Sequence, residues 1–450
     1  MVRILPGVEI QVVKEIVPQQ LHPAGVVGLV GTAEKGPILM PTPVTSYREF
    51  CEKFGTDTSY SLTKDARLCF LNGVYEVFAS RIEAAGAKNA SCELKDAEGT
   101  EVVRLIARLP GEAGNNLRYH VAPGLAEGTV SIQLTNGTKF EGFDNLTMDR
   151  TSDLYLVNYL NTYSKLVSAE DLAKKAKVPK NPAPGEGTLS GGETAKPELK
   201  GYEEALQTLE MEEDIDIVLA CDSWDPKVHA LVDAHCMNMS KDAKNRIGIG
   251  TVAPGEKVSE IVKRTEVLAS DRFILVAPYG TAGAVAGLIS RLNYYESPTF
   301  KAVTGISELE RRYTPSELTE LLKAGVLALE ARRGRGIIIE KGISTSKEQI
   351  SVTRVADRAV RGVKNVAENF IGTLNTPGGR VALRQKLTEF LMTMEREEAI
   401  VPSVDGKEPP FLVDVYSSEL DFAQGIVRVD LAVRPVRAMD YIYATITVQA

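Results

Sequence analysis

Apolar positions along this chain change their period several times, and the changes divide it into segments. Val26-Val27-Gly28-Leu29-Val30 is a continuous apolar run that predicts a buried strand, with Gly31 through Pro37 as its loop. Ser46-x-x-Glu49 reads as a capping box that opens a short helix with Tyr47, Phe50 and Phe54 on one side, stopped by Gly55. A second helix is predicted over 61–72 and a strand over 74–82. Residues 89–150 then alternate in short stretches (100–108, 118–121, 129–134) between Gly and Asn turns, which predicts a small β-sandwich. Residues 178–201 carry four prolines and five glycines and read as a flexible loop or linker.

Helical and strand periods alternate again from Tyr202. Tyr202, Ala205, Leu206 and Leu209 share a helical face, and Ile215-Asp216-Ile217-Val218-Leu219-Ala220 is the next buried strand. A helix from about Lys227, a strand at 246–250, a helix at 257–269 and a strand at 273–277 follow. Strands alternating with helices predict a parallel sheet covered on both faces. The last hundred residues predict two long helices (353–371 and 378–396) and strands at 411–416, 426–433 and 441–449.

Both ends of the chain read as lone strands. Leu5 to Val13 alternates, with Val8, Ile10 and Val12 on one face; Tyr441 to Gln449 alternates, with Ile442, Ala444, Ile446 and Val448 on one face. An unpaired strand is a template for another chain. Strands at both ends predict pairing between copies by strand addition, a polymer rather than a catalyst.

Composition narrows the classes. The chain has 450 residues, 44% hydrophobic and 25% charged, enough for a sizeable core, with a formal net charge of -8. That balance predicts no nucleic-acid partner. Five scattered cysteines suit a reducing compartment. No apolar run approaches a membrane span and no leader pattern opens the chain, so a cytoplasmic, membrane-free protein is predicted.

Candidate chemistry is thin. Gly280, Gly283 and Gly287 follow a strand and open a helix, but without the spacing of a dinucleotide loop; tight strand–helix packing is the better account. The Gly31 to Gly36 loop continues into Pro37 where a phosphate loop needs Lys. Cys221, Asp222, Asp225, His229, Asp233, His235 and Cys236 are the densest run of ligand types, yet no CxxC or HxxxH pair is present. No GxSxG elbow marks a nucleophile. No catalytic, cofactor or metal residue is therefore assigned. The helix at 353–371 carries Val355, Ala359, Val363, Val366 and Phe370 as an apolar stripe. Arg354, Arg358 and Arg361 lie opposite, with Lys364 at the margin: a solvated face or a contact for an acidic partner.

Taken in order, several motifs resemble the contractile tail sheath proteins of myophages and related contractile injection systems. Pro6-Gly7-Val8 resembles the opening motif, and Gly28 to Pro37 the first strand and its GP loop. Glu49-Phe50 with Phe54-Gly55, Phe70-Leu71-Asn72-Gly73 through Arg81, Ala302 to Gly305, Ala324-Gly325-Val326 and Gly334 to Ile339 follow in sequence. The helix pair, Gly425 to Val429 and Arg434-Pro435 complete the run. Two positions depart from the pattern: Glu9 stands where an aromatic is common, and Glu340 near where a Trp is common.

The resemblance implies an α/β fold with a subtilisin-like parallel-sheet core lacking protease activity, an inserted β-sandwich, and an α+β C-terminal domain facing the tail tube. It implies an arm at 1–22, a first α/β part at 23–88, the insertion and linker on the outer surface at 89–200, the core at 201–342, the C-terminal domain at 343–434 and a linking strand at 435–450. It implies stacked hexameric rings of this chain around a tail tube, with baseplate and tail terminator proteins as further partners, assembled in a host cytoplasm into a virion tail or tail-like particle. On that basis Arg354, Arg358, Arg361 and Lys364 are expected to face the tube. The rival class is an enzyme of subtilisin-like or dinucleotide-binding α/β fold.

Overall fold

A nine-stranded mixed sheet organises the larger of two compact units. The structure, a computed structural model, describes residues 25–84, 88–108, 112–137, 139–174, 179–193 and 197–443. The first arm, with Val8, Ile10 and Val12, and the terminal positions Ala444, Ile446 and Val448 lie outside these residues.

Six strands at the centre of the sheet run parallel, in the order Val326–Arg332, Phe273–Ala277, Ile247–Thr251, Ile215–Ala220, Val26–Gly31 and Val77–Arg81. Short antiparallel strands close both sides: Thr42–Val44 at one, and Gly336–Ile339 with Ala302–Val303 at the other. The inner strands are continuous apolar runs because both of their faces are covered. On one face lie Phe50, Phe54, Leu62, Ala66, Val285 and Leu288. On the other lie Tyr202, Leu206, Val228, Val232, Ile261, Leu318 and Leu321.

Local signals set the helix ends. Ser46 accepts from the Glu49 amide and Gly55 ends the same helix with a positive φ of 99°. Thr314 and Glu317 form a reciprocal capping box ahead of Pro315–Ala324. The glycines at 283 and 287 do a different job from the strand–helix packing expected. They face the helix Ser61–Leu71, not the sheet: a Cβ on Gly287 would sit 2.4 Å from the Cys69 carbonyl oxygen, and one on Gly283 2.8 Å from that of Asp65. Two helices thus touch backbone to backbone on top of the sheet.

The helices Ile350–Glu368 and Pro377–Arg396, with the two-stranded ribbon Phe411–Tyr416 and Arg428–Val433, belong to this same unit. Val413, Leu431 and Val433 turn inward onto Leu391 and Met394, and Val415 and Val429 onto Leu387 and Val366. Leu412, Asp414, Tyr416, Arg428, Asp430 and Ala432 turn outward. The ribbon alternates because only one of its faces is covered.

Residues 83–201 form the second unit. A three-stranded and a four-stranded antiparallel sheet enclose one core with the helix Leu156–Tyr163. The reading of 178–201 as a loose linker is corrected here. Gly185–Thr188 is a strand paired with Arg118–Pro123, and Leu189 is buried. Glycine at 187 is what the neighbouring strand requires, since a Cβ there would meet the Tyr119 ring at 2.8 to 3.0 Å. At Gly187 glycine marks a close approach, not freedom.

Candidate functional site

The helix Ile350–Glu368 is buried on both sides, which corrects the expectation of an open basic stripe. Its apolar side, with Val355, Ala359 and Val366, is covered as expected. Its arginines are covered too: two meet backbone carbonyls and one an aromatic ring. Arg354, 6% exposed, donates to the carbonyls of Leu292 and Asn293 at 3.1 and 3.2 Å. Leu292 ends the helix Ala282–Arg291, so Arg354 serves carbonyls that a helix leaves orphaned, at the negative end of its dipole. Arg358 lies over the Tyr294 ring, 5.6 Å from its centroid. Burial pulls both guanidinium groups below their usual range.

Arg361 reaches the amino ends of the parallel strands. It pairs with Asp216 at 2.7 Å and donates to the carbonyls of Ile215 and Asn245 at 2.6 and 2.5 Å. On the same helix, Asp357 pairs with Arg272 at 2.5 Å and accepts from Asn245 at 2.7 Å. Lys364, at the margin, lies 3.8 Å from both Glu213 and Glu368. The stripe is thus engaged by the chain's own groups, and a tube contact through Arg354, Arg358 and Arg361 does not fit this burial.

Before that helix begins, its N-cap residue turns away from the cap. Gln349 makes no capping bond; its amide instead donates to the Ala438 carbonyl at 3.1 Å and to Asp440 at 2.8 Å, and accepts from the Ala438 N–H at 3.0 Å. Lys341 lies 3.5 Å from Asp440 and 3.2 Å from the Tyr441 hydroxyl, and Arg437 pairs with Glu348 at 2.9 Å. The chain before the terminal strand is therefore strapped to the body. Beyond it Ile442 is 82% exposed. No pattern in the sequence announces Gln349 or Lys341 in this role.

The ribbon is the open element. Its two strands pair with each other over six residue pairs, and among the described residues no further strand joins either edge. An isolated two-stranded ribbon is marginal in water, and this one relies on its helix face for support.

Enzymes of this class place chemistry at the carboxyl ends of parallel strands. There, Lys64 pairs with Asp222 at 2.7 Å and donates to the Tyr279 hydroxyl at 2.9 Å. Asp65 is buried and accepts from the Asp222 N–H at 2.8 Å; burial first, then the Asp222 charge, pushes its carboxyl up to about 7. Thr32 and Ser61 bond each other at 3.2 Å. These groups satisfy one another. In the run from Cys221 to Cys236, His229 faces the Ser223 carbonyl at 3.0 Å and His235 faces Arg246 at 2.9 Å. Burial lowers His229 to about 4 and His235 to about 3. Among the described residues no group of three His, Cys, Asp or Glu side chains is placed to hold a metal. No described helix is long and apolar enough to cross a membrane.

Comparison with known proteins agrees with the motif order. Residues 195–345 match the phage tail sheath protein central domain family. The fold is similar to that of the contracted-state sheath of an extracellular contractile injection system, PVC, with a TM-score of 0.61, 11% identity, and 99% of this chain and 98% of that one covered. It is similar to the contracted helical sheath of the anti-feeding prophage, with a TM-score of 0.60, 12% identity and 99% of each chain covered. A sheath tail protein from Listeria innocua matches with a TM-score of 0.55, 15% identity and 93% of each chain covered. No curated protein matches in sequence.

Two substitutions test this geometry. Arg354→Glu strips two carbonyls of their donor and buries an unpaired charge, so it is expected to cost about 3–5 kcal/mol in urea denaturation of the unassembled chain; an unchanged midpoint would restore the open-face reading. Asp65 releases its proton near pH 4 unfolded but near 7 folded. Its contribution to stability is full at low pH and is lost as pH rises between those values. Asp65→Asn should flatten the fall in denaturation midpoint between about pH 4 and about pH 7. An identical pH profile in the variant would show that Asp65 ionises as an ordinary carboxylate.

Proposed function

We propose that this chain, which carries a phage tail sheath protein central domain, is the structural subunit of a contractile sheath. Copies assemble as stacked six-fold rings around a tail tube and are held in a long state until a baseplate signal lets them shorten and widen. The work comes from the difference between two packings of the same subunits, without nucleotide or covalent chemistry. Assembly in a host cytoplasm, and a tail terminator at the far end, complete the picture.

The observation that carries this reading is the ribbon Phe411–Tyr416/Arg428–Val433, to which, among the described residues, no further strand is paired. A chain with strand-like ends needs an acceptor, and the ribbon supplies one of matching length. The N-terminal arm through Val8, Ile10 and Val12, and the C-terminal strand through Ile442, Ala444, Ile446 and Val448, add to the ribbons of neighbouring copies. Each new backbone hydrogen bond is worth only about 0.5–1.5 kcal/mol net. Repetition around rings and along the tube makes the mesh durable, while subunit bodies remain free to change their contacts. The polar groups at the carboxyl ends of the sheet bind one another and leave the crevice a structural one.

The test compares the full chain with a chain lacking 441–450, by sedimentation and negative-stain imaging. The full chain should form long tubular polymers; the truncated chain should stay folded but fail to grow beyond short species. Proline at Val8, Ile10 or Val12 should act in the same direction, since it removes a donor from the ladder. Polymers of normal length from the truncated chain would refute the connector role.

A further inference from the structure

The two arms meet the body at two points along one helix, its N-cap and its middle. The C-terminal arm is rooted at Gln349, the N-cap of Ile350–Glu368, by the three hydrogen bonds to Ala438 and Asp440. The N-terminal arm enters the body at Gly25, whose N–H donates to Asp216, the carboxylate held by Arg361 of the same helix. Gln349 and Arg361 are twelve positions apart, about 18 Å along a helix.

Both roots are built with little latitude. Val26 and Val27 lie opposite Ile215 and Ile217, so Asp216 is the extra residue of a bulge, and the bulge frees its carboxylate to meet Gly25. Gly25 has φ of 119°, and a Cβ there would fall 2.0 Å from the Ser290 carbonyl oxygen. Only glycine passes this point without strain, so the chain enters along one path. At the other root Gln349 is 8% exposed, and Lys341 backs up Asp440 from a second element. Between the roots, Arg354, Arg358 and Asp357 fasten the helix to Leu292, Asn293, Tyr294 and Arg272.

We propose that the Ile350–Glu368 helix is a tie joining the two arms, with Gln349 and the Asp216–Arg361 pair as positioning residues that root the connecting strands. The inference rests on the assembly reading above and adds its mechanics. Tension arriving on one arm from a neighbouring copy passes along a single rigid helix to the other arm and on to the next copy. Gly25 runs into the strand Val26–Gly31 and Asp216 belongs to Ile215–Ala220, so that line includes the amino ends of the two central strands that Arg361 fastens to the helix. Only the residues after Tyr441 then act as free connector at the C-terminal side.

The test uses the full chain with Gln349→Ala and, separately, Lys341→Met, which leaves the helix N-cap untouched. In unassembled protein, amide exchange at 437–441 should accelerate about tenfold or more in Gln349→Ala, and less in Lys341→Met, with unfolding temperature unchanged. Polymers of Gln349→Ala should fragment at urea concentrations that leave the parent polymers and the monomer fold intact. Two results would overturn the tie: exchange at 437–441 already as fast as in an unstructured peptide in the parent chain, or equally durable polymers once the root has been loosened. A parent chain that never polymerises would sink the assembly reading and the tie with it, which separates that failure from the other two.

Discussion

Everything in the larger unit depends on a set of buried arginines satisfying backbone carbonyls at the underside of the sheet. A guanidinium taken out of water is costly unless its donors are used. Here Arg354 meets the orphan carbonyls at the end of Ala282–Arg291, and Arg361 meets two carbonyls and a carboxylate where parallel strands begin. Both partners gain, because a buried carbonyl and a buried guanidinium each need a hydrogen-bond partner. The long helix therefore cannot slide or roll without stranding several polar groups at once. Fixing that helix fixes the helix pair, the ribbon packed on it and the points where the two arms join the body.

The proposed sheath role would need parts that keep their partners and parts that exchange them. In this chain the division follows the chemistry of the contacts. The parallel sheet is sealed by aliphatic side chains on both faces and by helices that touch through Gly283 and Gly287, which suits a rigid body. The ribbon is half-covered, open at its edges, and offers backbone groups to any strand of suitable length. Strand pairing is indifferent to side-chain detail on the exposed face, so a joint made this way tolerates rotation of the bodies it links. The fold is similar to those of solved sheath proteins at 11–15% identity.

Much of this fold is legible in the amino-acid pattern. The parallel strands at 26–30, 215–220 and 273–277 announce themselves as largely apolar runs, and the cap at Ser46 marks a helix start by a local rule that tertiary context does not override. The arginine helix misleads because period alone cannot tell a solvated cation from one buried against carbonyls; the partners of Arg354 and Arg361 lie 61 to 146 positions away. Asp216 is the one hint, a charge inside an apolar strand. The glycines and prolines at 178–201 mislead for a related reason: Gly187 serves an approach of Tyr119 that sequence spacing does not encode. Gln349 and Lys341 give no signal, since a side chain that binds a distant tail looks like any polar residue near a helix start.

The most direct test of the account is a density map of the assembled polymer, read at the ribbon Phe411–Tyr416/Arg428–Val433. The account predicts that the ribbon there gains strands contributed by neighbouring copies, with the residues after Tyr441 continuing from the Gln349 root into a neighbour's sheet. A polymer in which the ribbon keeps only its own two strands, and in which copies touch solely through the faces of their bodies, would contradict it.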